Sequence, residues 1–387
     1  MARIAYVDHS FHAKTQSTQF LVDLLRVRGH TVDFFWDEGW RSGEATPFSQ
    51  VADYDVVIMF QSRCADTESY FCKRHPNVVY IPMLDELGLN HGPRYLGGVW
   101  EQFQGCKILS FSSALHAIAT GFGLRSFFIR YYPPPSPAGR ISSAASPRAF
   151  FWIRHEKQVS WPMVRELLQG TRCESVHLHI APDPDTPAPM LPTRSDEKEY
   201  NIVSSTWFAQ QQDFLDILAR ANIFFAPRRT EGIGQSFLEA MAMGQCVVAP
   251  DNGAMNEYIL HGVNGLLYDP DHPAPLDFSR YTELGEAARR SVAIGHERWL
   301  AAGDRLEEFI LTPSRKVYQG FNQHSAATTP REIIAEALNF NKIRFKYWRY
   351  KVLSSFSFGK ARRKYKKKRK IYEIKVRDIR LFIKRHK

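Results

Sequence analysis

Short apolar runs alternate along this chain with segments of helical spacing. Residues 4–7 are apolar, and 3–8 read as a buried strand that ends in polar residues. In residues 18–28, Phe20, Leu21, Leu24 and Leu25 share one side and Gly29 follows, a helix with its stop signal. Further apolar strands are predicted at 31–35, 55–60, 78–82, 107–111 and 127–131. Strands separated by helical patterns imply βαβ units and a parallel, doubly wound sheet.

The pattern breaks at residues 133–146, where three consecutive prolines and then Ser, Ala and Gly make a semi-rigid connector. It restarts with strands at 149–153, 175–180, 200–204, 223–227, 246–250 and 266–268, and with helices at 161–168, at 214–221 and from about Gln235. The proline-rich stretch 182–192 reads as an exposed loop. This divides the chain into an N-terminal α/β domain, 1–140, and a second, 147–320. Two such domains in tandem leave a crevice at the carboxyl ends of their strands, where ligands of open α/β sheets bind. After Glu283 the pattern turns helical, and Thr329-Pro330-Arg331-Glu332 is a capping box that opens a helical tail over 329–387.

Composition adds two constraints. A chain of 387 residues with 44% hydrophobic and 24% charged residues suits two globular domains. No apolar run approaches the length of a transmembrane helix, and the first residues lack the apolar centre of a signal peptide, so a cytoplasmic location is expected. The net charge of +11 is uneven: residues 341–387 carry +18, from 20 Lys/Arg against 2 Asp/Glu, which leaves −7 for the first 340. The five cysteines are scattered and form no C-x-x-C pair, so buried free thiols are expected rather than a disulfide framework or a zinc site.

The chemistry concentrates between Ile223 and Tyr268. A strand ends at Pro227, a polar turn follows, and Glu231-Gly232-Ile233-Gly234 opens a helix. Glycines let backbone N–H groups approach a ligand closely, and a helix N-terminus offers unpaired donors to a diphosphate. Glu231 in the turn and Glu239 in the helix are carboxylates, which suit vicinal diols because each accepts two hydrogen bonds. From spacing alone, a turn carboxylate and a solvated helix face explain these residues equally well.

The run from Glu231 to Ala249, continued from Asp251 to Leu267, resembles the C-terminal half of retaining GT-B glycosyltransferases of the group 1, or family 4, kind. A strand ending in Pro, E-G-x-G, a pair of glutamates eight residues apart, E-A-x-A-x-G and a later Glu before an N-G-L-L strand all occur in order. The resemblance covers residues 149–268 well and the N-terminal domain more loosely. It implies a GT-B fold: two Rossmann-like domains with an inter-domain crevice, here followed by a basic helical tail. It also implies a hexosyltransferase that takes its sugar from a UDP- or GDP-sugar and acts with retention. Glu231 then faces the donor sugar as a catalytic residue, Gly232, Ile233 and Gly234 supply backbone contacts to sugar and phosphate, and Glu239 holds the ribose. Arg154 and Lys157 resemble the basic pair on the diphosphate, and Asn252 to Glu257 the loop that closes the donor pocket. A departing diphosphate gains negative charge, so fixed cations are needed there on physical grounds as well.

The N-terminal domain is expected to serve the acceptor. His12, Lys14 and Thr15 follow the first strand, and a plainly capped loop accounts for them equally. Asp85 follows another strand end, where the family often has a His nearby and this chain has Met83. His12 and Asp85 are the catalytic candidates on this side, with Ser112, Ser113 and Arg130 as further polar positions. The triplets Asp183–Asp185 and Asp269–Asp271 read as turn chemistry, so no metal and no cofactor is expected. The tail suits an anionic membrane surface better than nucleic acid, since no nucleic-acid motif occurs elsewhere. The expected partners are a nucleotide-sugar donor, a glycan or lipid-linked acceptor of surface polysaccharide synthesis, and the inner face of a membrane through residues 341–387. A catalytically weak nucleotide-sugar binder, recruited to the membrane by its tail, is the other reading.

Overall fold

The computed structural model describes residues 1–39, 43–61, 74–85, 100, 103–136, 146–155, 157–183, 186–208 and 211–315. The predicted tail over 329–387, with its capping box and basic segment, lies outside them. The chain divides into two units: residues 1–129 together with the described residues from Gly303 on, and residues 130–302.

The first unit is built on six parallel strands: β1 (Arg3–Asp8), β2 (Thr31–Trp36), β3 (Val56–Phe60), β4 (Val78–Ile81), β5 (Lys107–Ser110) and β6 (Arg125–Phe128), in the order β2-β1-β3-β4-β5-β6. β1, β3 and β4 are buried along almost their whole length, which is why they read as unbroken apolar runs rather than alternating ones. Helices α1 (Phe11–Thr15), α2 (Gln19–Val27), α3 (Phe48–Val51) and α4 (Ser113–Gly121) connect them. β1 pairs with β2 on one side and β3 on the other, so the strand order reverses at its edge.

β6 begins two residues before the predicted apolar run. Its polar start is satisfied at a distance: Ser126 Oγ lies 3.2 Å from Ser110 Oγ, and the Arg125 guanidinium donates to the Ser314 carbonyl at 2.8 Å. The cysteines also depart from expectation. Cys173 and Cys246 are free, but Cys106 is disulfide-bonded, with its partner outside the described residues.

The second unit repeats the plan with β7 (Arg148–Ile153), β8 (Ser175–Ile180), β9 (Ile202–Ser205), β10 (Ile223–Phe225), β11 (Cys246–Pro250) and β12 (Leu266–Tyr268), all parallel in the order β12-β11-β10-β7-β8-β9. Its helices are α5 (Trp161–Leu167), α6 (Arg194–Glu199), α7 (Gln211–Leu218), α8 (Gln235–Met243), α9 (Met255–Tyr258) and α10 (Tyr281–Ala301). α6, like α4 and α9, is a helix that the hydrophobic pattern does not mark. It opens on a capping box between Thr193 and Asp196, with Asp standing where Glu or Gln is usual. One face of the sheet packs Ala149, Phe151, Ile153, Val176 and Leu178 against α5 through Trp161, Val164 and Leu167. α10 presses on the end of α8 at Gly285, where a Cβ would stand 2.0 Å from the Gly244 carbonyl oxygen. The reversal of strand order here falls between β7 and β10.

α11 (Gly303–Leu311) belongs to the first unit. Its Phe309 ring lies 5.2 Å from Phe127 of β6, and Arg28, just past α2, pairs with Asp304 at 2.7 Å and with Glu307.

Candidate functional site

In open α/β sheets ligands bind beyond the carboxyl ends of the strands, where the strand order reverses. In the second unit that point lies above β7 and β10. β10 is wholly buried and leads through Ala226 and Pro227 into the turn that carries Glu231. Residues Glu231 to Gly234 are all buried, Glu231 to 7% exposure. Gly234 has φ +77°, and a Cβ there would stand 2.1 Å from the Phe237 ring and 3.3 Å from Glu231 Cβ. Only glycine fits this bend, which folds the turn back onto the first turn of α8. No side chain caps that helix. Its first internal bond runs from Leu238 N–H to the Gly234 carbonyl at 3.2 Å, so the Ser236 and Phe237 amides have no carbonyl to reach within the helix. They form a ready donor set for an anion.

The loop after β11 closes on the same turn. Glu231 N–H donates to the Gly253 carbonyl at 3.3 Å, and Asn252 Nδ2 donates to Thr230 Oγ1 at 3.4 Å. Asn252 Oδ1 in turn accepts from Gly253 N–H at 3.0 Å. Glu257, in α9, faces the Arg130 guanidinium at 3.6 Å. Glu239, five residues into α8, sits in surroundings whose burial pushes its carboxyl up to about 7.

The cations are arranged differently from the expected pair. Arg154, just past β7, donates through Nε and Nη2 to Asp183 Oδ1 at 3.0 and 2.8 Å. Arg228, just past β10, donates through Nη2 to the other oxygen, Oδ2, at 2.7 Å. Burial raises the Asp183 carboxyl, but the two guanidiniums override it and hold the group below its ordinary value. Burial, and then the like charge of Arg228, pulls Arg154 down, against Asp183 and Glu231. The Arg154 guanidinium also lies 4.6 Å from the centre of the Trp152 ring. Lys157 is exposed, and its backbone N–H donates to His155 Nδ1 at 3.2 Å. Arg228 and Asp183 are thus neighbours of the predicted residues that sequence reading did not assign. Arg228 was legible only as one of two arginines in a polar turn. Arg229, the second, ties that turn down through Asp271 at 2.8 Å and the Gln158 carbonyl at 2.8 Å.

In the first unit the strand order reverses between β1 and β3. Asp8 closes β1 with no exposed surface, and its Oδ1 lies 2.7 Å from His12 Nδ1 in α1. His9 N–H donates to the same oxygen at 2.8 Å. Burial raises the Asp8 carboxyl, while His12 draws it back. The His12 ring meets Phe60, at the end of β3, edge-on at 5.3 Å. Asp85 lies past the end of β4, one strand further along. Asp8, His9 and His12 bring their ligand atoms within 4.8 Å of one another, close enough to hold a metal ion. The short Asp8–His12 contact uses one atom of each, so the trio reads as a hydrogen-bonded dyad with a second imidazole beside it.

Residues 155–278 match the family described as glycosyl transferases, group 1. Among solved structures the chain resembles the Anabaena protein Alr3699/HepE, solved in complex with UDP and glucose, at 17% identity and TM-score 0.54, covering 80% of this chain and 99% of that one. It also resembles sucrose-phosphate synthase from Thermosynechococcus elongatus, at 13% identity and TM-score 0.58, covering 80% and 98%. A third likeness is the lipopolysaccharide outer core galactosyltransferase WaaB in its apo form, at 13% identity and TM-score 0.53, covering 80% and 99%. At these identities the likeness establishes the architecture, two Rossmann-like units of the GT-B type. No curated protein sequence matches the chain.

Proposed function

We propose that this chain, a group 1 glycosyltransferase of the GT-B fold, moves a hexose-type sugar from a UDP- or GDP-sugar onto a glycan or lipid-linked acceptor of surface polysaccharide synthesis, with retention of anomeric configuration. One observation carries the reading: the uncapped start of α8, its approach opened by Gly234, lies in the same turn as buried Glu231. An anion receptor and a carboxylate for sugar hydroxyls thus share one short segment.

The chemistry follows from the charges. As the bond from the sugar's anomeric carbon to the phosphate oxygen breaks, negative charge collects on the diphosphate. The α8 amides and the guanidinium of Arg154 stabilise that charge where it develops. Glu231 accepts hydrogen bonds from the donor sugar, Glu239 from the ribose diol, and Asn252 and Glu257 belong to the loop over the donor. On the acceptor side, His12 is oriented by Asp8 and receives the attacking hydroxyl, with Asp85 as the second acid. The hydroxyl oxygen bonds to the anomeric carbon, and its proton leaves with the diphosphate. No metal or cofactor enters the scheme.

The names of the neighbours support the substrate class: one was solved with UDP and glucose, another is a lipopolysaccharide galactosyltransferase. No helix among the described residues is long and apolar enough to cross a membrane. Contact with a lipid-linked acceptor at the inner membrane face is assigned to residues 341–387 for their charge of +18. Their deletion is expected to abolish salt-sensitive sedimentation with anionic vesicles, and equal sedimentation of both proteins would remove the membrane from the proposal.

The deciding experiment is donor hydrolysis. Incubation with UDP- or GDP-sugars should release free nucleoside diphosphate slowly, and Glu231→Ala should abolish the release without abolishing the fold. Tight donor binding with no release from the unaltered protein would favour a catalytically weak nucleotide-sugar binder instead.

A further inference from the structure

The register of the second sheet makes an arrangement that the sequence pattern does not disclose. β10 and β7 pair Phe225 with Phe151, so both strands run out side by side. Three residues further along the two chains come Arg228 and Arg154, which meet on Asp183. Two like charges leaving adjacent strands repel, and they stay together here because one carboxylate engages both. Asp183 follows β8, on the other flank of β7, and its two oxygens are divided between the two guanidiniums, one at 2.8 Å and the other at 2.7 Å. Its own N–H is tied to the Arg154 carbonyl at 2.9 Å, which fixes the bridge to the strand end. Arg228 also opens the turn that continues through Glu231 to Gly234 at the start of α8. Lys157 shares none of these ties: its side chain makes no hydrogen bond or ion pair among the described residues, and it is exposed.

We propose that Arg228, rather than Lys157, is the second cation of the diphosphate site, and that Asp183 is the positioning residue that holds Arg154 and Arg228 as a matched pair. The inference rests on the donor reading given above. Two guanidiniums held on one carboxylate at the ends of neighbouring strands keep two positive charges together, which is what two linked phosphoryl groups require. Without the carboxylate the pair separates by mutual repulsion, and each side chain must be ordered anew whenever a diphosphate binds.

The test compares nucleoside diphosphate with nucleoside. UDP and GDP, each against uridine and guanosine, are titrated by calorimetry into the full chain and into Arg228→Ala, Lys157→Ala, Asp183→Asn and Asp183→Glu. Arg228→Ala is expected to weaken the diphosphate by ten- to a hundredfold and to leave nucleoside binding within twofold, with a far smaller loss for Lys157→Ala. Asp183→Asn is expected to weaken the diphosphate about tenfold and to raise the donor KM by more than it lowers kcat. Asp183→Glu, which restores the charge, should recover part of the loss. Nucleoside binding reports that each variant is folded. A larger loss in Lys157→Ala than in Arg228→Ala overturns the assignment of the cation. Tighter diphosphate binding in Asp183→Asn overturns the positioning role, because it means that the carboxylate merely competes for the arginines. If neither UDP nor GDP binds the unaltered chain, the donor reading itself fails.

Discussion

The Nζ of Lys107, at the start of β5, donates to the carbonyl oxygen of Ile310 at 2.7 Å, across 203 residues of chain. It also reaches the carbonyls of Phe309 and Thr312, and Asn77 Nδ2 donates to those of Ile310 and Leu311 at 3.1 and 3.0 Å. The last carbonyls of a helix have no partner within it and carry its negative dipole end. A buried lysine is a fitting cap for them, and it fastens α11 to a sheet formed from the other end of the sequence.

Replacing that lysine therefore affects more than one side chain. Lys107→Met keeps the apolar stem and strips a buried helix end of its side-chain donor. A loss of about 3 kcal/mol is expected, since several buried carbonyls are left without it. Thermal unfolding should show the midpoint falling by several degrees. A midpoint unchanged within a degree would mean that Asn77, Phe309 and the Arg28 and His30 pairs with Glu307 hold α11 without the lysine.

Gly234 is the narrowest constraint at the turn proposed to hold the donor. With φ +77° and the Phe237 ring 2.1 Å from where a Cβ would stand, Gly234→Ala must displace that ring and strain the backbone. The expected cost is about 2 kcal/mol of stability. Because the displaced segment is the first turn of α8, UDP or GDP affinity should fall with it, while a Gly170→Ala control, which also has positive φ but open space around it, should leave binding intact. Equal losses in both variants would trace the effect to general destabilisation.

These two positions show where sequence reading succeeds and where it stops. Buried parallel strands such as β1, β3 and β4 are legible because both faces are covered and the residues run apolar without interruption. The Glu231–Gly234 turn is legible because its backbone needs glycine at a fixed place between strand and helix. The Arg154–Asp183–Arg228 bridge is not legible, because it depends on the register between strands more than twenty residues apart, and register leaves no local trace. For the same reason the amphipathic pattern of α11 says that it packs on something, but not on which sheet. α6 escaped notice because Asp196 fills a capping position where Glu or Gln signals more clearly.

The proposed contact of Glu239 with the donor ribose implies a pH dependence. Burial raises its carboxyl to about 7, above the value of 4.5 expected in the unfolded chain. The group's contribution to stability is thus fully present below pH 4.5 and is lost as pH rises through 7. In the proposed scheme ribose hydroxyls donate to the ionised form, so nucleotide binding is expected to run the other way and to tighten as pH rises through 7. Below 7 the affinity for UDP or GDP should fall by up to roughly tenfold per pH unit. Glu239→Gln should flatten the profile and bind as the acidic protein does. Calorimetry between pH 5.5 and 8.5 reads both curves, and a flat profile in the unaltered chain would remove Glu239 from the ribose contact.

In the proposed scheme the acceptor side turns on the contact between Asp8 and His12. With Nδ1 of His12 held 2.7 Å from a buried carboxylate oxygen, the imidazole is fixed in orientation and Nε2 is left for an acceptor hydroxyl. His12→Ala removes the ring, and Asp8→Asn leaves the ring in place but unsettles its tautomer. Each should slow sugar transfer by about a hundredfold or more, and the double variant should be little worse than either single one, because the two residues act as one unit. Donor affinity should stay within twofold in all three, since both residues belong to the unit that does not carry the Glu231 turn. Transfer rates with a saturating acceptor, measured beside UDP and GDP titrations, separate the possibilities. Additive losses in the double variant would mean that Asp8 and His12 act independently, and a matching loss of donor affinity would mean that the variants damage the fold rather than the chemistry.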